Sequence, residues 1–279
     1  MIVPGTAQAA TNSTISTSNK WAWAANSGWI NCLADTTNGM VLGEFVCSGY
    51  LWSSNVGWIC LGNGSPTNGI RYTNVSSNDY GVNHDGAGSL RGYAWSESVG
   101  WINFENTGAP KVDLKSGVFS GCAWGGSMGW ITFTNIQAFS QTTNIMTGID
   151  SDFDGIPDQF ELAHTGSLTN LGNVDNPDSD GDGMTDLEEY RAGTDPTNPN
   201  SCLELSNIRI TGANVILTWS AGTTRVYKVE TRTNMLTGSW VTNGVDLVFS
   251  GTNATATLST GSYSGLFYRI KAAMPFTMP

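Results

Sequence analysis

Residues 93 to 104 read YAWSESVGWINF, and the same phrase returns as WAWAANSGWINC at 21 to 32, YLWSSNVGWICL at 50 to 61 and CAWGGSMGWITF at 122 to 133. Each copy sets one tryptophan six residues before another, with a polar, glycine-ended turn between: Trp23 and Trp29, Trp52 and Trp58, Trp95 and Trp101, Trp124 and Trp130. Alternating side chains on both sides of such a turn predict a β-hairpin, and four copies predict a repeat domain. A short strand is expected upstream of the last three copies, in GEFVCSG at 43 to 49, GSLRG at 88 to 92 and GVFSG at 117 to 121. Because successive strand residues face opposite ways, the third copy sorts Leu90, Ala94, Ile102 and Phe104 to an aliphatic face. Tyr93, Trp95 and Trp101 fall on an aromatic one. Packing across strands is the plain use of such a ladder; a sugar-stacking surface is the alternative.

The cysteines follow the same faces. Cys32 takes the slot of Phe104 and Cys47 that of Leu90, which allows a bridge between them. Cys60 takes the slot of Asn103 and Cys122 that of Tyr93, which allows a second bridge if repeats two and four are neighbours. Cys202 is left over, and in an exported protein a spare thiol suits an intermolecular bond; five buried free thiols are the other reading.

Beyond the repeats, residues 150 to 161 read DSDFDGIPDQFE and residues 178 to 189 read DSDGDGMTDLEE, with carboxylates at loop positions 1, 3, 5, 9 and 12 and glycine at 6. A hard divalent cation takes about six to eight oxygens, and alternate acids on a tight loop converge only if the backbone turns sharply at position 6. Gly155 and Gly183 permit that turn. The expected ligands of the first loop are Asp150, Asp152, Asp154, Asp158 and Glu161 with the Ile156 carbonyl, Asp158 acting directly or through water. Those of the second are Asp178, Asp180, Asp182, Asp186 and Glu189 with the Met184 carbonyl. Two in-register copies argue against a merely solvated acidic loop, so two or more calcium ions are expected.

Charge agrees with this reading, since the chain has 23 Asp plus Glu against 12 Lys plus Arg and ten of those acids are the loop carboxylates. Without them the balance is 13 against 12, so the acidity is local and no general basic partner follows. Nucleic-acid binding is disfavoured for the same reason. Hydrophobic content of 39% with 34 glycines and few charges points to a mainly all-β, turn-rich chain.

Four segments are expected: an N-terminal arm over 1–20, the Trp-hairpin repeat β domain over 21–139, a double calcium-loop and helix module over 148–200, and a C-terminal antiparallel β-sandwich over 203–279. MIVPGTAQAA at 1 to 10 reads like the end of a secretory signal, with small residues at Ala7 and Ala9, but it lacks a basic start. Residues 10 to 20 suit a flexible arm or an added edge strand, and no apolar run is long enough to cross a bilayer. After the turn cluster GTDPTNPNS at 193 to 201, strands are expected in NVILTWS, RVYKVETR, SWVTN, ATATLST and LFYRIKA, with Trp219, Tyr227 and Tyr268 in the core.

The loop segment over 150–200, with its GTDPTNP exit, resembles thrombospondin type 3 and EF-hand-like repeats of bacterial surface proteins. That resemblance implies that an Asp in the exit turn can complete a neighbouring site, making Asp195 and Asp175 secondary candidates. The tryptophan phrases look similar to the GYAWSENVGWINF tandem repeats of exported prokaryotic proteins. The last segment resembles fibronectin type III modules through Trp219, Tyr227 and FYRIKA, but MPFTMP after Ala273 is short for a final strand. An open sheet edge would follow, and open edges invite strand addition.

Catalytic patterns are poor. Gly125, Ser127 and Gly129 satisfy GxSxG, yet they fall in a hairpin turn, where a nucleophile elbow needs a strand entering a helix. His84 is expected in a surface turn and His164 at the end of a short helix, so neither reads as a general base. Glu44, Asp85, Glu97, Glu105 and Asp113 offer no discernible acid pair. The expectation is an exported, extracellular or cell-surface, non-enzymatic structural protein stabilised by calcium, forming a homo-oligomer, filament or surface layer. The alternative is an adhesion module that binds glycan through its tryptophans.

Overall fold

Strands fill the first part of the chain in the order β1 (Ile15–Ala24), β2 (Gly28–Asn31), β3 (Val41–Leu42), β4 (Cys47–Ser48), β5 (Tyr50–Ser53), β6 (Gly57–Cys60) and β7 (Val82–His84). They continue with β8 (Leu90–Ser96), β9 (Gly100–Asn103), β10 (Lys111–Val112), β11 (Phe119–Ser120), β12 (Cys122–Gly125), β13 (Gly129–Thr132) and β14 (Ile136–Ala138). Helices α1 (Asp158–Thr165) and α2 (Asp186–Ala192) follow. The rest is again strand: β15 (Asn207–Thr211), β16 (Asn214–Ser220), β17 (Val226–Arg232), β18 (Val241–Asn243), β19 (Leu247–Ser250), β20 (Asn253–Ser259) and β21 (Phe267–Ala273). This computed structural model describes residues 13–35, 37–105, 108–134, 136–138, 145–172, 177–259 and 265–275. The chain is mainly β, as expected, and it divides into two units. One is built on the chain up to Ser151 with Pro157–Ala163, the other on Asp152–Ile156 with His164–Met274.

In the first unit each tryptophan phrase is a hairpin: β1–β2, β5–β6, β8–β9 and β12–β13. The hairpins pair in sequence order, and β13 pairs back onto β1, so eight antiparallel strands close into a barrel-like ring. Every closing contact uses the same position. Asn31 lies opposite Trp52, Cys60 opposite Trp95, Asn103 opposite Trp124 and Thr132 opposite Trp23. Inside, buried cross-strand pairs fill one layer: Ala22 with Ile30, Leu51 with Ile59, Ala94 with Ile102, Ala123 with Ile131. Nearer the turns the inward residues are small, with Ala24, Ser53, Ser96 and Gly125 opposite glycines, since an eight-stranded ring has room only for its own side chains. Outside, the paired tryptophans meet at 4.6 to 5.0 Å between ring centroids. Contacts of this kind add about 0.5–1.5 kcal/mol each beyond area burial. The third copy sorts its faces as expected, with Leu90, Ala94, Ile102 and Phe104 buried and Trp101 exposed.

Of the expected upstream strands, β4 and β11 pair with β3 and β10 as two-stranded ribbons, whereas the one expected in 88–92 is no separate strand but the start of β8, where β7 pairs. Residues 10 to 12 lie outside the described residues, and from Ile15 the expected arm or edge strand is the first half of β1, paired with β14. His84 corrects an expectation: it is fully buried on β7, not in a surface turn. Its Nδ1 bonds the carbonyls of Gly43 and Glu44, and its Nε2 accepts from the Gly88 N–H at 3.1 Å. An imidazole with a full set of partners is an interior strut.

The expected disulfides are absent as well: all five cysteines are free thiols. Repeats two and four face across the ring with another hairpin between them on either side, so Cys60 and Cys122 are not neighbours. Cys32 and Cys47 are small apolar core residues, their thiols pushed up to about 12 by burial. The GGSMG stretch turns between β12 and β13, and the Ser127 carbonyl accepts from Asn26 Nδ2 at 3.3 Å.

In the second unit, the four-stranded sheet β15–β16–β20–β19 packs on the three-stranded sheet β18–β17–β21. Their shared core is Val215, Leu217 and Trp219 from β16, Ala254, Ala256 and Leu258 from β20, and Tyr227 and Val229 from β17. Tyr268 packs against this core, half-buried.

Candidate metal centre

Asp150, Asp152 and Asp154 form one group and Asp178, Asp180 and Asp182 another; in each, one carboxylate oxygen per residue lies within 4.8 Å of the others. Two oxygens at about 2.3–2.6 Å from one calcium ion stand at most about 5 Å apart, so both groups have the spacing of ligands around a shared ion. The donors are all oxygen, which suits a hard cation over zinc or copper. Left-handed residues at positions 4 and 6 fold both loops: Phe153 (φ 64°) and Gly155 (96°) in the first, Gly181 (80°) and Gly183 (100°) in the second. The Ile156 N–H donates to Asp154 Oδ1 and the Met184 N–H to Asp182 Oδ1, both at 2.8 Å. The same Asx turn thus closes each copy.

At position 9, Asp158 accepts from the Ser151 N–H at 2.7 Å and its hydroxyl at 2.6 Å. Asp186 accepts from the Ser179 N–H at 2.9 Å and its hydroxyl at 2.8 Å. Both oxygens of each carboxylate are engaged, so they brace loop position 2 against the helix that follows. These serines were missed at the level of sequence, although the shared DSD opening of the two loops carried the signal.

At position 12, Glu161 on α1 and Glu189 on α2 are fully buried. In the second loop, Asp180 Oδ2, Asp182 Oδ2 and both Glu189 oxygens are buried without accepting a hydrogen bond. A buried carboxylate with no donor is costly, and several together repel one another. Burial, then the charge of Asp180, pushes Glu189 up to about 8; the nearby Thr194 hydroxyl donates to the Glu189 backbone carbonyl at 3.4 Å. Burial first, with the charges of Asp182, Asp178 and Asp186 adding to it, raises Asp180 also. A divalent cation removes both penalties at once, so these residues fit calcium.

Gly172 was also missed. Its N–H donates to Asp186 Oδ2 at 3.0 Å, and a Cβ there would meet Asp154 Oδ2 at 1.8 Å. Only glycine lets the second loop's brace sit against Asp154 of the first. Helix α2 is fixed at both ends. Glu188 accepts from the Thr185 N–H and hydroxyl, and left-handed Gly193 closes the C-terminus. There buried Arg225 donates to the carbonyls of Tyr190 and Arg191, and the Tyr227 hydroxyl donates to that of Ala192 at 3.3 Å. The second loop is thereby bound to the sandwich core. Asp195 lies outside both carboxylate groups and accepts from the Thr197 N–H and hydroxyl. Asp175 lies outside the described residues.

A family model for the bacterial TSP3 repeat matches residues 178–199, the second loop with its helix and exit turn. Such repeats bind calcium, occur in exported proteins and form a structural, not an enzyme, family. No curated protein and no solved structure matches the chain. No helix among the described residues is long and apolar enough to cross a membrane.

Proposed function

We propose that this chain is an exported, non-enzymatic structural protein, stiffened by calcium at both loops, that assembles with copies of itself into an extracellular filament or surface layer. One observation carries the assembly: among the described residues the core face of β15 is left open. Ile208 and Ile210 of β15 lie opposite the buried Leu217 and Val215, which puts them on the core face, yet they are 55% and 72% exposed. Four strands face three, and among the described residues β21 pairs only with β17. A strand added beside β21 would complete the smaller sheet and cover both isoleucines. Supplied by another copy in a head-to-tail contact that does not close, it would give a fibre.

Negative-stain imaging and sedimentation of the native protein in millimolar calcium test this. Polymers that Ile210→Lys disperses, with its melting temperature unchanged, are the expected result. Monodisperse monomers at all concentrations, with and without calcium, would refute the assembly.

A further inference from the structure

The four hairpins of the barrel are near-copies, and the first departs from the rest. We infer that it carries a binding cleft for a neutral carbohydrate, with Trp21 and Trp29 as its stacking walls. Two residues before the first tryptophan of each phrase stand Trp21, Tyr50, Tyr93 and Cys122. In the second and third hairpins that tyrosine meets the second tryptophan edge-on, Tyr50 to Trp58 at 5.8 Å and Tyr93 to Trp101 at 6.3 Å. In the first, Trp21 and Trp29 stand 6.4 Å apart with their planes at 72°, forming a corner of two large rings. Both stay open, at 41% and 52% exposure.

The corner opens because β1 runs beyond the barrel to pair with β14, with a register shift between Ile15 and Lys20. The result is a cleft of about 710 Å³ in which Ser18, Asn19, Val118, Thr134 and Ile136 join the two indoles. Clefts of roughly 300–1,000 Å³ hold small ligands. A pyranose ring presents an apolar C–H face and a rim of hydroxyls. The face fits the electron-rich plane of an indole, and the rim needs groups that both donate and accept, as serine and threonine hydroxyls and an asparagine amide do. Among the described residues no carboxylate lines the cleft. Lys20 Nζ lies 5.9 Å from the Trp21 ring centre and is not among the lining residues, which carry no charged side chain.

Native affinity electrophoresis through gels containing dextran, laminarin, xylan, galactomannan or hydroxyethyl cellulose tests the site. Retardation by at least one polymer is expected, with a loss of about tenfold or more in affinity for Trp21→Ala and for Thr134→Ala. Trp124→Ala, on the fourth hairpin, should bind as the unaltered protein does. Thr134 is exposed, so its substitution reads the cleft even if Trp21→Ala folds poorly. Passage through all five gels without retardation would overturn the site, as would equal losses from Trp124→Ala and Trp21→Ala, which would mark general stickiness of the aromatic belt.

Discussion

Glu189 is buried on α2, and neither carboxylate oxygen accepts a hydrogen bond. Its charge opposes folding of the metal-free protein and favours folding once a cation is bound. Glu189→Gln is therefore expected to keep or raise the melting temperature in chelator while removing most of the rise that calcium gives at the second loop. A variant that melts lower in chelator and still responds fully to calcium would show the carboxylate to be no ligand. His84 makes a separate statement about pH. Burial lowers it from 6.5 to about 4, with Asp85 raising it and Arg71 lowering it further. The folded value lies below the unfolded one, so the unfolded chain takes the proton first. The stability is fully present above pH 6.5 and is lost as pH falls towards 4, a loss of about 3 kcal/mol. The His84 ring protons should show no titration in NMR spectra above pH of about 5; a midpoint near 6.5 would place the ring in solvent. At this scale the two carboxylate groups of the loops were legible because their spacing is local. The burial of His84 was not, since its ring is held by two separate backbone stretches, at 43–44 and at 88.

A single hairpin depends on its turn. Gly57 closes β5 onto β6 at a φ of +87°, and a Cβ added there meets no heavy atom within 4 Å. Substitution is thus charged only with the left-handed backbone, about 1–2 kcal/mol, less a few tenths for the stiffer unfolded chain. Gly57→Ala should lower stability by about 1 kcal/mol in urea unfolding with an unchanged slope; a neutral result would mean that the turn relaxes into another type. The hairpins themselves were legible because alternation and the glycine-ended turn are written within twelve residues of each phrase. Their closure into a ring was not. The pairing of Thr132 with Trp23 joins strands more than a hundred residues apart, and nothing in either phrase distinguishes that neighbour from an open row. The Cys60–Cys122 expectation failed at the same step, because it required repeats two and four to stand side by side; Cys32 and Cys47 do share the buried face and are free thiols there.

Calcium at one loop becomes a property of the molecule only if something transmits it, and in the second unit Arg225 is placed to do so. The guanidinium is buried over the Tyr190 ring, 5.3 Å from its centre, while bonding the last carbonyls of α2. Arg225 lies immediately before β17, whose Tyr227 belongs to the sandwich core. Ordering Glu189 around an ion would fix α2, and α2 would then fix the start of β17. If the site binds with a dissociation constant of about 10 µM, millimolar calcium stabilises it by about 2.7 kcal/mol. Hydrogen exchange should then show calcium slowing amides in the loop, in α2 and along β16 and β17 together. Arg225→Ala leaves the Tyr190 carbonyl with the Gly193 N–H but takes the side-chain donor from that of Arg191, which costs about 1–3 kcal/mol, and should confine the calcium effect to the loop and α2. Protection that stops at α2 in the unaltered protein would mean the loops stiffen only themselves, and a calcium-dependent filament would need another joint.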